Sequence, residues 1–185
     1  MIPPFNEFVL LNEEDKVPTF CYMLYLEEPY ISEALALQNA LAPIMQGGEK
    51  EEPDHFHTTI RYVKMLSGQN PERFVEWLDG LPLPEIEAFT SKFSLFNKGC
   101  IVTELESPGM HEWFNKINSW MTTVGDYPPS EYPTYKPHVT LFKGVENETA
   151  PKFDPAIHHK KFIYTNHIVT DKNHDVIFER KVRTR

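Results

Sequence analysis

The chain contains only two cysteines among its 185 residues, with no Cys-x-x-Cys pair and no Cys/His ligand spacing. These absences argue against a disulfide framework and against a zinc site. Cys21 and Cys100 each lie in an apolar run, so both are interpreted as buried free thiols. No stretch is long and apolar enough to span a membrane, and residues 1–7 lack the basic start and apolar run of a signal peptide. We therefore expect a cytoplasmic protein with no membrane partner, no metal ion and no cofactor.

Basic residues are also scarce. The chain has 18 Lys and Arg against 27 Asp and Glu, which gives a formal net charge of -9. Binding to a long nucleic-acid duplex rests largely on cationic contacts with phosphate, so such a duplex is not expected as a partner. A small phosphate-bearing ligand needs only a few local positive charges, and that class of ligand stays open.

Apolar residues, in contrast, are plentiful enough for a sizeable core, at 41% of the chain with 13% aromatic. The length favours a single two-lobed domain over residues 1–185. We also expect a monomer. Residues 1–18 are predicted to form an irregular lead-in, because they hold three prolines and the acidic run Glu13-Glu14-Asp15.

Hydrophobic periodicity and turn residues predict alternating strands and helices. Helices are predicted at 31–46, 71–80 and 108–124, and strands at 19–26, 86–96, 100–105, 161–170, 174–182 and around His57 and His138. The acidic residues 49–54 are interpreted as a solvated loop. The Pro- and Tyr-rich residues 127–135 are interpreted as a stiff loop that leads into His138.

Part of this order occurs twice. The strand 19–26, the helix 31–46 and the His57 strand repeat in kind as the strand 100–105, the helix 108–124 and the His138 strand. The duplication predicts two similar lobes related by an approximate twofold axis, with the last strand of each unit facing the other across the junction.

Each of these last strands carries a His-x-Thr motif, His57-Thr58-Thr59 and His138-Val139-Thr140. Side chains alternate along a strand, so His57, Thr59 and Arg61 are predicted to share one face, and His138, Thr140 and Phe142 to share another. Two imidazoles across a cleft supply one proton acceptor and one proton donor near neutral pH. The two hydroxyls are suited to bind phosphate oxygens.

The motif is short, and its weight comes from context. Eight histidines and 13 threonines give roughly 0.6 chance matches in a chain of this length. Both matches, however, end a copy of the repeated unit, and no other histidine has Thr or Ser two residues on.

The chain resembles the two-histidine (2H) phosphoesterase superfamily, which includes LigT-like RNA 2′,3′-cyclic phosphodiesterases and viral enzymes that destroy nucleotide second messengers. The resemblance is carried by His57-Thr-Thr-Ile-Arg-Tyr62 and Pro137-His-Val-Thr-Leu-Phe142, and the duplicated order covers residues 19–182. It implies an α+β fold of two pseudo-symmetric lobes, each an antiparallel sheet with helices on its outer face and the active-site cleft between them. It further implies that His57 and His138 are the acid/base pair and that Thr59 and Thr140 bind phosphate.

By this resemblance the protein is a metal-independent phosphodiesterase that cleaves small nucleotides, with cyclic oligonucleotides or 2′–5′ and 3′–5′ signalling molecules as substrates. Two alternatives stay open. One is a LigT-like 2′,3′-cyclic phosphodiesterase that acts on RNA ends or nucleotide cyclic phosphates. The other is a protein that sequesters or senses nucleotides in the same cleft without turnover.

Further residues near the motifs have two interpretations each. Arg61 either holds a phosphate or forms a salt bridge at the cleft rim. Tyr127, Tyr132 and Tyr135 either stack on a base or anchor their loop. Lys136 is a candidate substrate contact, although both Lys136 and Lys143 also fit the pattern of solvated surface lysines.

Overall fold

The computed structural model describes residues 18–96, 99–132 and 134–182. The predicted lead-in therefore lies almost wholly outside the described residues, as do Asn97 and Lys98 of the predicted turn. The helices are α1 (Tyr30–Leu41), α2 (Glu72–Asp79), α3 (Pro108–Thr123) and the short α4 (Pro155–His158). The strands are β1 (Thr19–Tyr25), β2 (Gly47–Lys50), β3 (His57–Lys64), β4 (Ile86–Phe96), β5 (Cys100–Glu106), β6 (His138–Val145), β7 (Lys161–Tyr164), β8 (Asn166–Thr170) and β9 (Val176–Lys181). Within the described ranges, none of the helices has the length and apolar character needed to cross a membrane.

The strands form two antiparallel sheets, in the orders β3-β1-β8-β9 and β2-β6-β5-β4-β7. The first sheet contains the His57 strand beside β1, and the second contains the His138 strand beside β5. The predicted α+β fold of two similar lobes is thereby confirmed.

The helices of the repeated unit, α1 and α3, each contact the sheet that does not contain the strand before them. Helix α1 follows β1 of the first sheet but contacts β6 and β7 of the second, where Gln38 Nε2 donates to the Leu141 carbonyl at 2.9 Å. Helix α3 follows β5 of the second sheet and contacts β3 as well as β4. Trp113 of α3 donates from Nε1 to the Tyr22 hydroxyl of β1 at 2.8 Å. The helices therefore bind the two lobes together.

The predicted strand 161–170 is wrong in one respect, because it is two strands in different sheets. Strand β7 pairs with β4, whereas β8 pairs with β1 and β9. Thr165 lies at the crossing, where its hydroxyl donates to the Glu27 carboxylate at 2.8 Å. Both halves of this run are largely buried, so its apolar pattern continues through the change of sheet.

The predicted end of the first helix at residue 46 is also wrong, and residues 49 and 50 of the predicted loop belong to an exposed strand. Helix α1 ends at Leu41, and a short 3₁₀ segment follows at Ala42–Ile44, where Pro43 has no backbone N–H to continue the α-helical hydrogen bonds. Gly47–Lys50 then forms β2 along the edge of β6. Gly48 has φ +79°, and a Cβ there would lie 2.6 Å from the Lys143 carbonyl, so only glycine allows this close approach.

A buried polar network lies between the first sheet and α3. The Tyr22 hydroxyl accepts from Trp113 Nε1 and lies 2.6 Å from His167 Nδ1, while His167 Nε2 lies 2.9 Å from the Pro84 carbonyl. Every polar atom of this network has a hydrogen-bond partner when the Tyr22 hydroxyl donates to Nδ1 and a neutral His167 donates from Nε2 to the Pro84 carbonyl. Burial lowers the pKa of His167 to about 4.

We expect His167 to make folding sensitive to mild acid. An unfolded histidine binds a proton below about pH 6.5, whereas the folded His167 does so only near its folded pKa of about 4. Stability is therefore lost as the pH falls from about 6.5 to about 4, by on the order of 3 kcal/mol from this group. Urea unfolding of the wild type and His167→Gln at several pH values measures the difference in slope.

The exposed His174 provides the control, as His174→Asn, because asparagine tolerates its positive φ. An unchanged acid dependence in His167→Gln, or an equal change in His174→Asn, would contradict a role for the buried imidazole.

Candidate active site

The His57 strand carries one extra residue directly after its motif. Met23 of β1 pairs with Thr59 and Tyr22 pairs with Arg61, which leaves Ile60 as a bulge. The bulge reverses the side-chain alternation, so Tyr62 and not Arg61 continues the face of His57 and Thr59. The predicted position of Arg61 on this face is therefore wrong.

Strand β6 has the same irregularity at the equivalent place. Thr140 pairs with Val102 and Phe142 pairs with Ile101, which leaves Leu141 as the extra residue. Phe142 is consequently buried, at 3% exposure. Lys143, and not Phe142, shares the face of His138 and Thr140. The expectation for Phe142 is wrong for the same reason as that for Arg61.

Both imidazoles are oriented in the same way. His57 Nδ1 lies 2.6 Å from the His55 carbonyl, and His138 Nδ1 lies 2.8 Å from the Lys136 carbonyl. A carbonyl oxygen only accepts hydrogen bonds, so each Nδ1 carries a hydrogen. Each Nε2 is then unprotonated in the neutral ring and is the nitrogen that gains or loses the proton. Strands β3 and β6 contact each other, and the predicted pair is brought together.

The two imidazoles have different electrostatic surroundings. Burial, followed by the nearby His138 and Lys143, lowers the pKa of His57 to about 4, against the opposing effect of its hydrogen bond to the His55 carbonyl. Burial also lowers the pKa of His138, while the Lys136 carbonyl and the Glu104 carboxylate oppose it. His57 thus responds to neighbouring cations, whereas His138 responds to an anion.

An aromatic ring lies against each histidine. The Tyr25 ring stacks on His57 with centroids 5.3 Å apart and an interplanar angle of 24°, and the Phe96 ring meets His138 edge-on at 4.8 Å. The hydroxyl of Thr59 shares a hydrogen bond with the thiol of Cys21, whose pKa is raised to about 12 by burial. Cys21 and Cys100 are both buried, as predicted.

The acidic segment before His57 reaches into the same region. Glu51 is only 5% exposed, its amide donates to the Leu141 carbonyl at 2.9 Å, and its carboxylate binds Lys143 Nζ at 2.6 Å. The prediction of a solvated segment is therefore wrong for Glu51, although Glu49, Glu52 and Asp54 are exposed. Lys143 is half-buried and held by this carboxylate. The burial of a lone acidic residue in an acidic run leaves no trace in composition, so this pair was not predictable.

The loop tyrosines mostly anchor their segment. Tyr127 is buried and donates to the Asn70 carbonyl at 2.7 Å. Tyr135 stacks on Phe114 at 4.3 Å and donates to the Thr59 carbonyl at 3.1 Å, so its ring face is already used within the protein. Tyr132 is partly buried near Tyr62 and stays a candidate for contact with a base.

The side chain of Lys136 is exposed, and its backbone carbonyl is the group that orients His138. Arg61 is 3% exposed, and its two terminal nitrogens donate to the Tyr62 and Pro128 carbonyls at 2.6 Å each. Burial lowers the pKa of its guanidinium to about 10. Arg61 thus joins β3 to the loop before β6, and neither of its predicted roles matches this position.

Across residues 18–96, 99–132 and 134–182, no group of three or more His, Cys, Asp or Glu side chains is arranged to hold a metal ion. The groups on the two His-x-Thr faces that could contact a phosphate are two imidazoles, two hydroxyls and the ammonium of Lys143. These groups are suited to proton transfer and to hydrogen bonding with an anion.

No protein-family model matches the chain, and no curated protein matches it either. Solved structures do match, and they define the chain as a protein of the LigT-like α+β fold. TT0787 of Thermus thermophilus is 14% identical with a TM-score of 0.66, over 90% of this chain and 99% of that one. E. coli LigT in complex with 3′-AMP is 15% identical with a TM-score of 0.60, over 90% and 99%. Kluyveromyces marxianus Usb1 is 12% identical with a TM-score of 0.53, over 91% and 100%.

We expect Arg61→Met to destabilise the protein, because it leaves two carbonyls without their charged donor. The expected loss in the free energy of unfolding is about 2–4 kcal/mol, measured by urea denaturation. Lys64→Met is the control, since Lys64 ends the same strand in an exposed ion pair with Glu131, and it should cost less than about 1 kcal/mol. If Arg61→Met instead keeps its stability but no longer binds phosphate, the predicted role of Arg61 in holding a phosphate would be supported.

Proposed function

We propose that this protein is a phosphodiesterase of the two-histidine type that cleaves small nucleotides without a metal ion. One observation carries the proposal. The two His-x-Thr motifs lie at equivalent positions on contacting strands, and each imidazole is held at Nδ1 by the carbonyl two residues earlier. This arrangement supports the paired roles that the sequence resemblance implies for His57, His138, Thr59 and Thr140.

On a 2′,3′-cyclic phosphate, one imidazole takes a proton from water as the water oxygen bonds to phosphorus. The bond from phosphorus to one ribose oxygen breaks, and the other imidazole protonates that oxygen. The product is a phosphomonoester with a neighbouring hydroxyl. Thr59 and Thr140 donate to the non-bridging oxygens, an interaction that contributes several kcal/mol when it strengthens in the transition state.

On a 3′–5′ linkage, one imidazole takes the proton of the adjacent 2′-hydroxyl, whose oxygen then bonds to phosphorus. The bond to the 5′ oxygen breaks, and the second imidazole protonates this leaving oxygen. The same four residues serve both reactions, and the attacking oxygen is the only difference.

For the substrate we propose a small nucleotide, with cyclic oligonucleotides or 2′–5′ and 3′–5′ signalling molecules as the sharper candidates. The net charge of -9 disfavours long polyanions. The similar structure of E. coli LigT was solved with 3′-AMP, which supports a nucleoside phosphate. Tyr62 and Lys143 follow the two motifs on the site faces and offer an aromatic and a cationic contact.

The proposed activity is tested by incubating the protein with cyclic di- and trinucleotides, 2′–5′ dinucleotides and 2′,3′-cyclic mononucleotides, followed by separation of the products. We expect cleavage of at least one class, and a loss of at least about 10²-fold in kcat in His57→Ala and in His138→Ala. The exposed-histidine variant His174→Asn is the matched control and should keep full activity.

Tight binding of an intact nucleotide would favour sequestration over turnover. The assay is run both without and with EDTA, and activity that disappears with EDTA and returns with a divalent cation would contradict the metal-independent mechanism. An active double variant, His57→Ala with His138→Ala, would do the same.

We expect kcat/KM to follow a bell-shaped pH profile with its maximum on the acidic side of about pH 6.5. The base must be neutral, so the rate falls as the pH drops below its pKa, and the acid must be protonated, so the rate falls above its pKa. Burial lowers the pKa values of both His57 and His138, which places both limbs below the usual value. Initial rates from about pH 4 to 8 measure the profile, and a maximum above pH 7 would contradict it.

A further inference from the structure

The approximate twofold symmetry of the site is broken at one pair of positions. On the strand beside each motif, the residue directly opposite the histidine is Tyr25 for His57 and Glu104 for His138. Residues directly opposite in an antiparallel pair share a face, with Cβ atoms about 4.5–5.5 Å apart. One imidazole therefore faces a phenol ring, and the other faces a carboxylate.

Glu104 is held in place by its neighbours on β4. The Ser94 hydroxyl donates to Glu104 Oε1 at 2.5 Å, and Lys92 Nζ lies 3.2 Å from Oε2. Its side chain is only 15% exposed, so its charge acts in a partly dehydrated setting where electrostatic interactions are stronger than in water. A carboxylate fixed in this way stabilises a positive charge on the imidazole opposite.

Charged groups lie near both imidazoles. Glu104 on β5, its partner Lys92 on β4 and His57 on β3 lie on the side of His138. Lys143 on β6 extends toward His57 and pairs with Glu51, and His55 adds a second imidazole there. The carboxylates on the side of His57, Glu51 and Asp54, lie against Lys143 and His55. The Glu104 carboxylate lies directly opposite His138, so a proton is favoured on His138.

We propose that Glu104 is a positioning residue that keeps the transferable proton on His138, which makes His138 the general acid and His57 the general base. This inference rests on the proposed function. The pKa of His138 is supported by Glu104, whereas Lys143 and His138 itself depress the pKa of His57. His57 then takes the proton of the attacking oxygen, and His138 gives its proton to the leaving oxygen.

A change of leaving group tests the assignment. In uridine 3′-(4-nitrophenyl phosphate), attack by the 2′ oxygen expels 4-nitrophenolate, which leaves with the electron pair of the broken P–O bond and needs no proton. His138→Ala should therefore lose about 10²-fold in kcat/KM on uridylyl-3′,5′-uridine but less than about tenfold on the nitrophenyl ester. His57→Ala should lose at least about 10²-fold on both. The opposite pattern, with His57 dispensable for the nitrophenyl ester, would overturn the assignment.

Histidine NMR titration of the whole chain tests Glu104 without requiring turnover. In Glu104→Gln the titration midpoint of His138 should fall by about one pH unit, while that of His57 stays nearly unchanged. The high-pH limb of the kcat/KM profile should fall with it. Glu106→Gln is the matched control, because Glu106 is exposed and lies two residues further along the same face of β5.

An unchanged His138 midpoint in Glu104→Gln, or an equal fall in Glu106→Gln, would overturn the role of Glu104. If the wild type cleaves neither ester, attack by the 2′ oxygen on a 3′-linked phosphate is refuted, whereas the proposed function is judged by the nucleotide panel and the titration still decides whether Glu104 holds the proton on His138.

Discussion

One extra residue after each His-x-Thr motif determines what surrounds the cleft. The bulges at Ile60 and Leu141 reverse the alternation of their strands, which buries Arg61 and brings Lys143 to the site. At the second bulge, the Leu141 carbonyl accepts from Gln38 Nε2 and from the Glu51 amide. The same irregularity thus fixes the helix α1, the buried acid and the lysine that the acid holds.

The two lobes are similar in geometry and different in charge. Each imidazole is held by a carbonyl two residues earlier and covered by one aromatic ring, so the pair is oriented symmetrically. Opposite charges then distinguish them, because Glu104 lies across from His138 and Lys143 extends toward His57. A symmetric scaffold with an asymmetric field is the arrangement that a reaction with one base and one acid needs.

Helix packing keeps the two halves at a fixed separation. Helix α1 lies on the second sheet and α3 bridges both, with Trp113 and Tyr22 joined in a buried network that includes His167. Tyr135 adds a direct connection, since it donates to the Thr59 carbonyl while the next residue supplies the carbonyl that orients His138. The cleft between the motifs therefore depends on contacts that cross from one lobe to the other.

The sequence by itself determined the repeated unit and the two motifs, because strand and helix periodicity and short turn signals are local properties. The two-lobed α+β fold followed from the repeat and from the family resemblance that the motifs carry. The sequence did not determine that residues 161–170 cross between sheets, since both halves are similarly apolar. It also did not determine the faces of Arg61 and Phe142, because a bulge depends on how a partner strand pairs and not on the residues of the bulged strand alone. The burial of Glu51 and the placement of Glu104 opposite His138 were likewise decided only by tertiary structure, because each depends on groups that lie far away along the chain.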